Sequence, residues 1–308
     1  MHMGGEGLPS PPRCYDGKEM SMRNRKVAII LVLGFLVGVS LLLYPSFSNY
    51  WNRKTQTRAI SNYESVLENL EPEDYSYIFD QAHDYNRRLF AQQDPLLYHD
   101  QVPGYYESLN VSGNGMIGYL KIERINVELP VYHGTSVEVL NVGVGHLEGS
   151  SLPVGGESTH SVLSAHRGLP NAKLFTDLDR VEIGDTFQIT VLDQVLTYRV
   201  DQIKIITPYE ISDLEIIPGK DHCTLFTCTP YGINTHRLLV RGIRTETIKE
   251  KPVIYVSNDA YQIEPALVTP AVAAPLLFIL LIHLLVKYRD PAPQKNTKKK
   301  KGDAENVS

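Results

Sequence analysis

The sequence lacks the short motifs that define several large enzyme classes. It contains no His-Glu-x-x-His, no Gly-x-Ser-x-Gly and no P-loop pattern, which argues against a zinc protease of that type, an esterase-type serine hydrolase and a P-loop nucleotide hydrolase. One local group of cysteines and histidines lacks the Cys-x-x-Cys and His-x-x-x-His spacings of a zinc site: His222, Cys223, Cys228 and His236. We therefore expect no metal and no organic cofactor.

Charge is almost missing from two long stretches. Val27–Tyr44 has no charged residue in 18 positions, and Ala266–Val286 is interrupted only by a threonine, two prolines and a histidine. Each is long enough to cross about 30 Å of hydrocarbon as a helix. The alternatives are a buried core helix for either run and a cleaved signal peptide for the first, although the bulky residues 44–50 offer no small-x-small cleavage site. We expect two membrane spans, the first an uncleaved signal anchor.

Basic residues flank the outer ends of both apolar runs. Arg23, Arg25 and Lys26 precede the first run, and a lysine-rich tail that includes Lys298–Lys301 follows the second. The positive-inside rule places both termini in the cytoplasm and the segment between the spans outside the cell membrane. That segment, residues 46–265, holds 18 Lys and Arg against 29 Asp and Glu. The acidic exterior argues against nucleic acid as a partner, while the lysine tail predicts contact with anionic membrane lipid.

Between the two spans, helical patterns give way to β-rich runs at Met116. Two helices are predicted at Arg58–Leu70 and Pro72–Gln92, the second from apolar residues at helical spacing. Seven strands follow: Met116–Ile122, Val127–Tyr132, Ser161–Ala165, Phe187–Leu192, Val195–Ile206, Cys223–Cys228 and Arg237–Ile243. The tightest hairpin is expected at Asp193-Gln194, and several of the other turns contain Gly or Pro. So many strands with little helix between them indicate a mainly β fold, a closed or nearly closed barrel.

These patterns predict a linear domain organisation. Residues 1–21 have no periodic pattern, so we expect them to be disordered, and Met20 or Met22 is a candidate initiator. The expected order is a cytoplasmic N-terminus (1–26), a signal anchor (27–45), a helical extension with a loop at 93–98 (46–115), a β-barrel (116–250), a linker (251–265), a second span (266–286) and a basic tail (287–308).

Cysteine is scarce, with three in 308 residues. Cys14 is predicted to be cytoplasmic and cannot pair across the membrane. Cys223 and Cys228 are five positions apart on one predicted strand, so their side chains point to opposite faces and are not expected to form a disulfide. An exported thiol that is left free at a strand end suggests a chemical role for Cys228.

Three reactive groups occur at or near strand ends. Cys228 ends an apolar run, His166 follows the strand Ser161–Ala165, and Arg237 begins the next strand after Cys228. The eight residues between Cys228 and Arg237 are enough for a loop between antiparallel neighbours. Cysteine, histidine and arginine can supply a thiolate nucleophile, a proton shuttle and an oxyanion clamp, which together suffice for acyl transfer.

The segments that carry these groups resemble the active-site motifs of sortases, the cysteine transpeptidases of Gram-positive cell surfaces. The motifs are Thr224-Leu-Phe-Thr-Cys228, Ser164-Ala-His-Arg-Gly168 and the run around Arg237. The resemblance extends from about Tyr50 to Gly242, and the class C, pilus-building branch is the most similar. It implies an eight-stranded sortase-type barrel with N-terminal helices and a lid loop, which the two transmembrane helices predicted from the apolar runs would flank.

The resemblance also implies a reaction. Cys228 would form a thioacyl enzyme with a Leu-Pro-x-Thr-Gly-type sorting signal, His166 would exchange protons with the leaving and incoming amines, and Arg237 would stabilise the oxyanion. The implied partners are pilin precursor proteins, one of which supplies a lysine amine that resolves the thioacyl enzyme. The chain would then polymerise pili.

Asp94-Pro95-Leu96 resembles the class C lid, in which an Asp-Pro-aromatic segment covers the catalytic cysteine. The resemblance implies an ion pair between Asp94 and Arg237. Leu96 departs from the pattern because the family has an aromatic residue there. The alternative is an ordinary helix-terminating Asp-Pro turn.

Three other functions remain open from the sequence. A housekeeping sortase would attach proteins to peptidoglycan, although the second span and the Asp94-Pro95 segment count against it. A hydrolytic cysteine protease would use Cys228 and His166 but more often orients its histidine with Asn or Asp than employs an arginine. A non-enzymatic pilus scaffold would not need all three groups.

Overall fold

A computed structural model describes residues 17–247 and 265–287. The described residues belong to two compact units, one formed by 17–43 with 265–287 and the other by 44–247. Residues 1–16 with Cys14, nearly all of the linker and all but the first residue of the basic tail lie outside the described residues, whereas residues 17–21, which were expected to be disordered, are helical. The predictions for those segments therefore stay predictions.

Helix α1 (Gly17–Leu67) is a single helix of 51 residues. The sequence predicted a span and a separate helix at Arg58–Leu70, and this separation was wrong. Pro45 lies inside α1, where it removes one helical N–H donor without ending the helix. Helix α2 (Pro72–Ala91) begins with Pro in its first turn and has a capping box between Glu71 and Asp74.

Helix α1 and the helix that completes the first unit contain apolar segments. Within the described residues, one helical segment, Lys26–Leu67, is long and apolar enough to cross a membrane, and a shorter apolar segment covers Val272–Lys287. The shorter segment belongs to helix α4 (Pro265–Lys287), which has 23 residues. Inside this unit, the rings of Phe35 and Phe278 lie 6.4 Å apart between centroids.

The second unit contains a closed barrel of eight strands. In chain order the strands are β1 (Met116–Ile122), β2 (Val127–His133), β3 (Val144–His146), β4 (Thr159–Ser164), β5 (Thr186–Val191), β6 (Gln194–Ile206), β7 (Asp221–Thr229) and β8 (His236–Thr245). The order around the barrel is β1-β2-β3-β4-β7-β8-β6-β5. The pairs β2–β3 and β4–β7 are parallel, and the other six pairs are antiparallel. A short helix, α3 (Val137–Val142), connects β2 to β3.

The barrel interior forms the main apolar core. Its members come from every strand and include the alternate residues Leu163, Cys223, Leu225, Leu238 and Val240 of the three strands that carry the motifs. Helix α2 packs on the same core through residues at helical spacing: Phe79, Ala82, Tyr85 and Leu89. A separate apolar cluster lies on the outer face of the same three strands and contains Val162, Leu239 and the half-buried Phe226.

Candidate active site

Cys228 and Arg237 face each other on neighbouring strands. They are register partners in the antiparallel pair β7–β8, and the eight residues between them include the loop expected between antiparallel neighbours. Residues directly opposite each other in such a pair have neighbouring side chains on the same face of the sheet. Cys228 is half-buried and free, so its thiol is accessible beside the arginine.

His166 reaches the same end of the barrel through the parallel pair β4–β7. In this register Ser164 pairs with Phe226, and one step further the Ala165 N–H donates to the Phe226 carbonyl at 3.2 Å. His166 and Cys228 each come two residues after the Ser164–Phe226 pair. Parallel strands present their carboxyl ends at one edge, so the two residues lie at the same edge on adjacent chain segments.

The three candidate residues belong to one outer face. Residues with interior positions are Leu163 in β4, Cys223 and Leu225 in β7, and Leu238 in β8. Because side chains alternate along a strand, Cys228 and Arg237 project outward, and His166 has the corresponding parity at the end of β4. The structure therefore brings together the residues that the sequence singled out as nucleophile, proton shuttle and oxyanion clamp.

The second cysteine of β7 has the opposite environment. Cys223 is fully buried inside the barrel and forms no disulfide within the described part of the chain. Burial, with a smaller contribution from Asp221, raises the pKa of the Cys223 thiol well above its usual value. A thiol in this state is not a nucleophile at neutral pH.

The guanidinium of Arg237 is bound by its own hairpin. Its Nη1 donates to the carbonyl oxygens of Asn234 at 3.1 Å and His236 at 3.0 Å. These bonds use backbone acceptors and leave the other guanidinium donors for a ligand. Across residues 17–247 and 265–287, no ion pair joins Arg237 to Asp94. The ion pair implied by the resemblance is thus not formed in this conformation, in which Asp94 is exposed.

The segment Asp94–Leu96 forms a turn whose backbone is fixed locally. Asp94 has a positive φ of 49°, and its carbonyl accepts the N–H groups of Leu97 at 2.9 Å and Tyr98 at 3.1 Å. The side chain of Leu96 packs on the outer apolar cluster that contains Val162, Leu239 and Phe226. The segment therefore packs on the outer face of the strands that carry the candidate site.

Gly149 provides the seat for this segment. Its φ is +82°, and a Cβ built on it would lie 2.4 Å from the Pro95 carbonyl oxygen and 2.8 Å from the Leu96 Cα. Only glycine admits so close an approach of backbone to backbone. Beside the seat is a cavity of about 230 Å³, lined by residues 94–97, Gly149 and the loop that contains Leu214 and Ile216.

A buried polar network holds the loop that carries Gly149. The Tyr105 hydroxyl lies 2.8 Å from Nδ1 of His146, and Nε2 of His146 lies 2.8 Å from the Ser151 carbonyl. A carbonyl only accepts, so Nε2 carries the proton and Nδ1 accepts from the tyrosine. Burial lowers the pKa of His146 to about 3, which keeps the ring neutral. Tyr106 and Glu148 are also hydrogen-bonded.

A second buried histidine supports the outer face beneath the candidate site. Nδ1 of His160 lies 2.8 Å from the Glu215 carbonyl, and its Nε2 lies 2.7 Å from Oγ1 of Thr224. The carbonyl fixes the proton on Nδ1, so the Thr224 hydroxyl donates to Nε2. Burial lowers the pKa of His160 to about 4. The threonine that opens the cysteine motif is thereby bound to β4.

Sequence reasoning missed Gly149, Thr229 and the side-chain role of Arg167. Arg167 donates to Thr229 from Nη1 at 3.1 Å and forms an ion pair with Asp179 at 2.5 Å. The only signal for Arg167 was its position directly after His166. Among the described residues, no group of three or more His, Cys, Asp or Glu is placed to hold a metal ion.

Comparison with known proteins gives the class of protein. A family model described as the sortase domain matches residues 120–245. The solved structure of Clostridium perfringens sortase C with the C-terminal cell wall sorting motif is 47% identical, with a TM-score of 0.56 over 62% of this chain and 100% of that one. A lid mutant of Streptococcus agalactiae sortase C1 is 44% identical, with a TM-score of 0.58 and the same coverages.

A curated relative, sortase D of Bacillus subtilis strain 168, is 32% identical over 130 residues. That alignment covers 41% of this chain and 63% of the relative, so the chain matches less than two thirds of its length. The chain belongs to the sortase family of cysteine transpeptidases, and the solved relatives just described are class C sortases.

Proposed function

We propose that the chain is a membrane-anchored transpeptidase that cleaves Leu-Pro-x-Thr-Gly-type sorting signals and joins the product to an amine of a second protein. The observation that carries the proposal is the strand register. Cys228 and Arg237 are direct partners, and His166 follows the parallel neighbour of β7 at the corresponding position. A nucleophile, a proton shuttle and an oxyanion donor on one accessible face match the needs of acyl transfer.

The reaction proceeds in two displacements. The Cys228 thiolate attacks the threonine carbonyl, and Arg237 stabilises the resulting oxyanion. The C–N bond to glycine breaks, His166 gives its proton to the leaving amine, and a thioester remains on Cys228. An incoming amine then loses a proton to His166 and attacks the thioester, so a new C–N bond forms, the C–S bond breaks and the thiolate is regenerated.

The substrates we propose are pilin precursors. The solved Clostridium perfringens relative holds a cell wall sorting motif, which supports a peptide of this kind as the acyl donor here. The second substrate would be a lysine amine of the next pilin subunit, and repeated transfer would polymerise a pilus. Linking at the membrane raises the effective concentration of both partners, because each is confined to the same surface.

The membrane topology we propose has two spans and an extracellular barrel. Lys26–Leu67 contains a window that satisfies the length and hydropathy of a span, and α4 has 23 residues with a single lysine at its end. The contact between Phe35 and Phe278 supports packing of the two apolar segments against each other. Membrane lipid would then surround both segments.

We also propose that Asp94–Leu96 acts as a lid. The support is its packing on the outer cluster, on which Phe226 of β7 also packs, the close backbone approach to Gly149 and the existence of a lid mutant of a relative that is 44% identical. In this proposal packing by Leu96 and the backbone seat hold the lid, because the ion pair of Asp94 with Arg237 is not formed. Leu96 fills the position that an aromatic residue has in the family pattern.

The direct test is mass spectrometry of the protein after incubation with a sorting-signal peptide. We expect a thioacyl adduct on Cys228, and a new amide when an amine acceptor such as a lysine-containing pilin domain is added. A free threonine carboxylate as the sole product would identify a protease instead. The complete absence of an adduct in a folded, reduced sample would refute the proposed function.

A further inference from the structure

Arg167 bridges the two chain segments that carry the candidate nucleophile and the candidate proton shuttle. Its side chain is only 8% exposed. One guanidinium nitrogen donates to Oγ1 of Thr229, and the other pairs with Asp179. Arg167 directly follows His166, and Thr229 directly follows Cys228. The bridge therefore joins the residues immediately beyond both reactive groups.

A second bridge lies immediately before the reactive groups. Oγ1 of Thr227 donates to the Ala165 carbonyl at 2.7 Å, one residue before Cys228 and one residue before His166. One hydrogen bond therefore joins the two segments just before His166 and Cys228, and another joins them just after. The regular register of β4 with β7 ends at Ser164 and Phe226, and one further backbone bond joins the Ala165 N–H to the Phe226 carbonyl. The two side-chain bridges supplement this backbone pairing at the level of His166 and Cys228.

The chemistry of this bridge is specific to arginine. A buried cation is costly unless it is paired, and Asp179 supplies the pairing, with its own side chain half exposed. The planar fork of the guanidinium can bind a carboxylate and a hydroxyl at the same time, which a lysine ammonium on a flexible stem does less well. Among the described residues the Nε of Arg167 has no hydrogen-bond partner, so Asp179 and Thr229 are the contacts that hold this side chain.

A third contact continues the connection between the two loops. The ring of Tyr231, three residues after Cys228, lies 3.0 Å from the position that a Cβ on Gly168 would occupy. Gly168 has a φ of +79°, a conformation that other residues rarely adopt. The turn after His166 is thereby in close contact with the loop after Cys228.

We propose that Arg167 is a positioning residue, which holds the His166 segment at a fixed distance from the Cys228 segment through Thr229 and Asp179. This inference rests on the proposed function, because it assigns the bridge to proton transfer between His166 and the reacting amine at Cys228. Arg167 acts through His166 and contacts no substrate. Small displacements of a catalytic group can lower a rate by roughly a hundred-fold, so the loss of the bridge should appear in kcat.

The test uses Thr229→Val, which keeps the shape of the side chain but removes the hydroxyl that accepts from Arg167. We expect kcat for peptide cleavage by Thr229→Val to fall roughly ten-fold or more with little change in KM, and Thr229→Ser to restore most of it. Arg167→Lys should show a similar loss, and the double variant should be no worse than either single variant, because both remove the same bridge. Each rate is divided by the folded fraction, measured by chemical denaturation.

The matched control is Arg124→Lys. Arg124 also pairs with carboxylates of the barrel, at 3.0 Å from Glu182, but it is remote from the motifs in sequence and half exposed, so kcat should stay at the wild-type value. A bridge that only stabilises the fold would reduce the folded fraction and leave kcat per folded molecule unchanged, which would overturn the proposal. Fully multiplicative losses in the double variant would overturn it as well.

Failure of the proposed function is distinguishable. If the wild type forms no adduct on Cys228 with the peptide, the transpeptidase assignment fails, and the positioning role fails with it. If the wild type forms the adduct and Thr229→Val turns over at the same rate, only the positioning role fails.

Discussion

The inner and outer faces of β4, β7 and β8 are built for different purposes from the same strands. The inner face carries closely packed apolar side chains such as Leu225 and Val240, which are fully buried. The outer face carries His160, Thr224 and Cys228, whose polar atoms are bound or accessible. One strand can therefore stabilise the barrel with every second residue and present chemistry with the others.

The two cysteines of β7 show the difference between the inner and outer faces for a single residue type. Cys223 lies in the core with a raised thiol pKa, while Cys228 is half-buried opposite Arg237. Their difference follows from position alone. A cysteine is thus a reactive group or a small apolar side chain according to the face on which it lies.

The largest expected effect is a direct contrast between these cysteines. Cys228→Ala should abolish adduct formation and transpeptidation, because no other side chain at that position can form a thioester. Cys223→Ala should retain activity and lower the free energy of unfolding by roughly 1 kcal/mol, through a small cavity. The measurements are product formation and denaturant unfolding of both variants. Equal loss of activity in folded samples would contradict the assignment of the nucleophile.

The second largest expected effect is a loss of kcat that distinguishes two arginines on the same outer face of β8. Arg237→Lys should lower kcat by about 10²–10³, since lysine lacks the planar fork that matches a developing oxyanion. Arg241→Lys should have little effect on kcat, because Arg241 is already bound by Asp201 at 2.8 Å. Steady-state kinetics of the two variants with the same peptide make the comparison. Near-normal turnover of Arg237→Lys would remove Arg237 from the catalytic set.

A smaller effect concerns what covers the outer face. Gly149→Ala would place a methyl group 2.4 Å from the Pro95 carbonyl oxygen, so the lid should lift and Cys228 should react several-fold faster with a thiol reagent. Asp94→Ala should change this rate less, because Asp94 has no ion pair with Arg237 in this conformation.

The control for Gly149→Ala is Gly184→Ala. Gly184 also has a positive φ, +96°, but no atom lies within 4 Å of its Cβ position, so the variant reproduces the backbone strain without the clash. Alkylation of Cys228 at the wild-type rate in both glycine variants would mean that Asp94–Leu96 is only a helix-terminating turn.

The smallest expected effect is the contribution of His160 to the pH dependence of the unfolding free energy. Its pKa is lowered from 6.5 to about 4 by burial, so the unfolded chain binds a proton in this interval that the folded protein does not. Its contribution to stability is complete above pH 6.5 and is lost as the pH falls toward 4. His160→Gln should therefore reduce the dependence of the unfolding free energy on pH between 6.5 and 4. An unchanged slope in urea titrations would contradict the buried neutral state.

The sequence predicted most of the barrel because its strands alternate. Seven strands were located to within a few residues, and β1 was predicted with its observed bounds, Met116–Ile122. The missing strand, Val144–His146, has three residues, too short for an alternating pattern to be recognised. The eighth strand was expected from the family resemblance and not from the residues themselves.

The site could be predicted only where chemistry follows local sequence. The separation of Cys228 and Arg237 was sufficient to predict neighbouring antiparallel strands, whereas Gly149 and Pro95 are brought together by tertiary structure. The absence of an ion pair between Asp94 and Arg237 was equally unpredictable, because a family motif records which residues occur and not which of several loop conformations is adopted. Arg167 was passed over since a charged turn residue next to a histidine has no distinctive pattern.

The strand register has a consequence for how such a chain can change length. An insertion of one residue between Thr224 and Cys228 would turn the thiol toward the barrel interior, since a shift of one position exchanges the two faces of a strand. The loop of residues 230–235 is exposed throughout, and residues added there would leave the Cys228–Arg237 partnership intact. A change of length can therefore be accommodated in the exposed loop between the two strands, whereas inside either strand it would exchange the faces on which Cys228 and Arg237 lie.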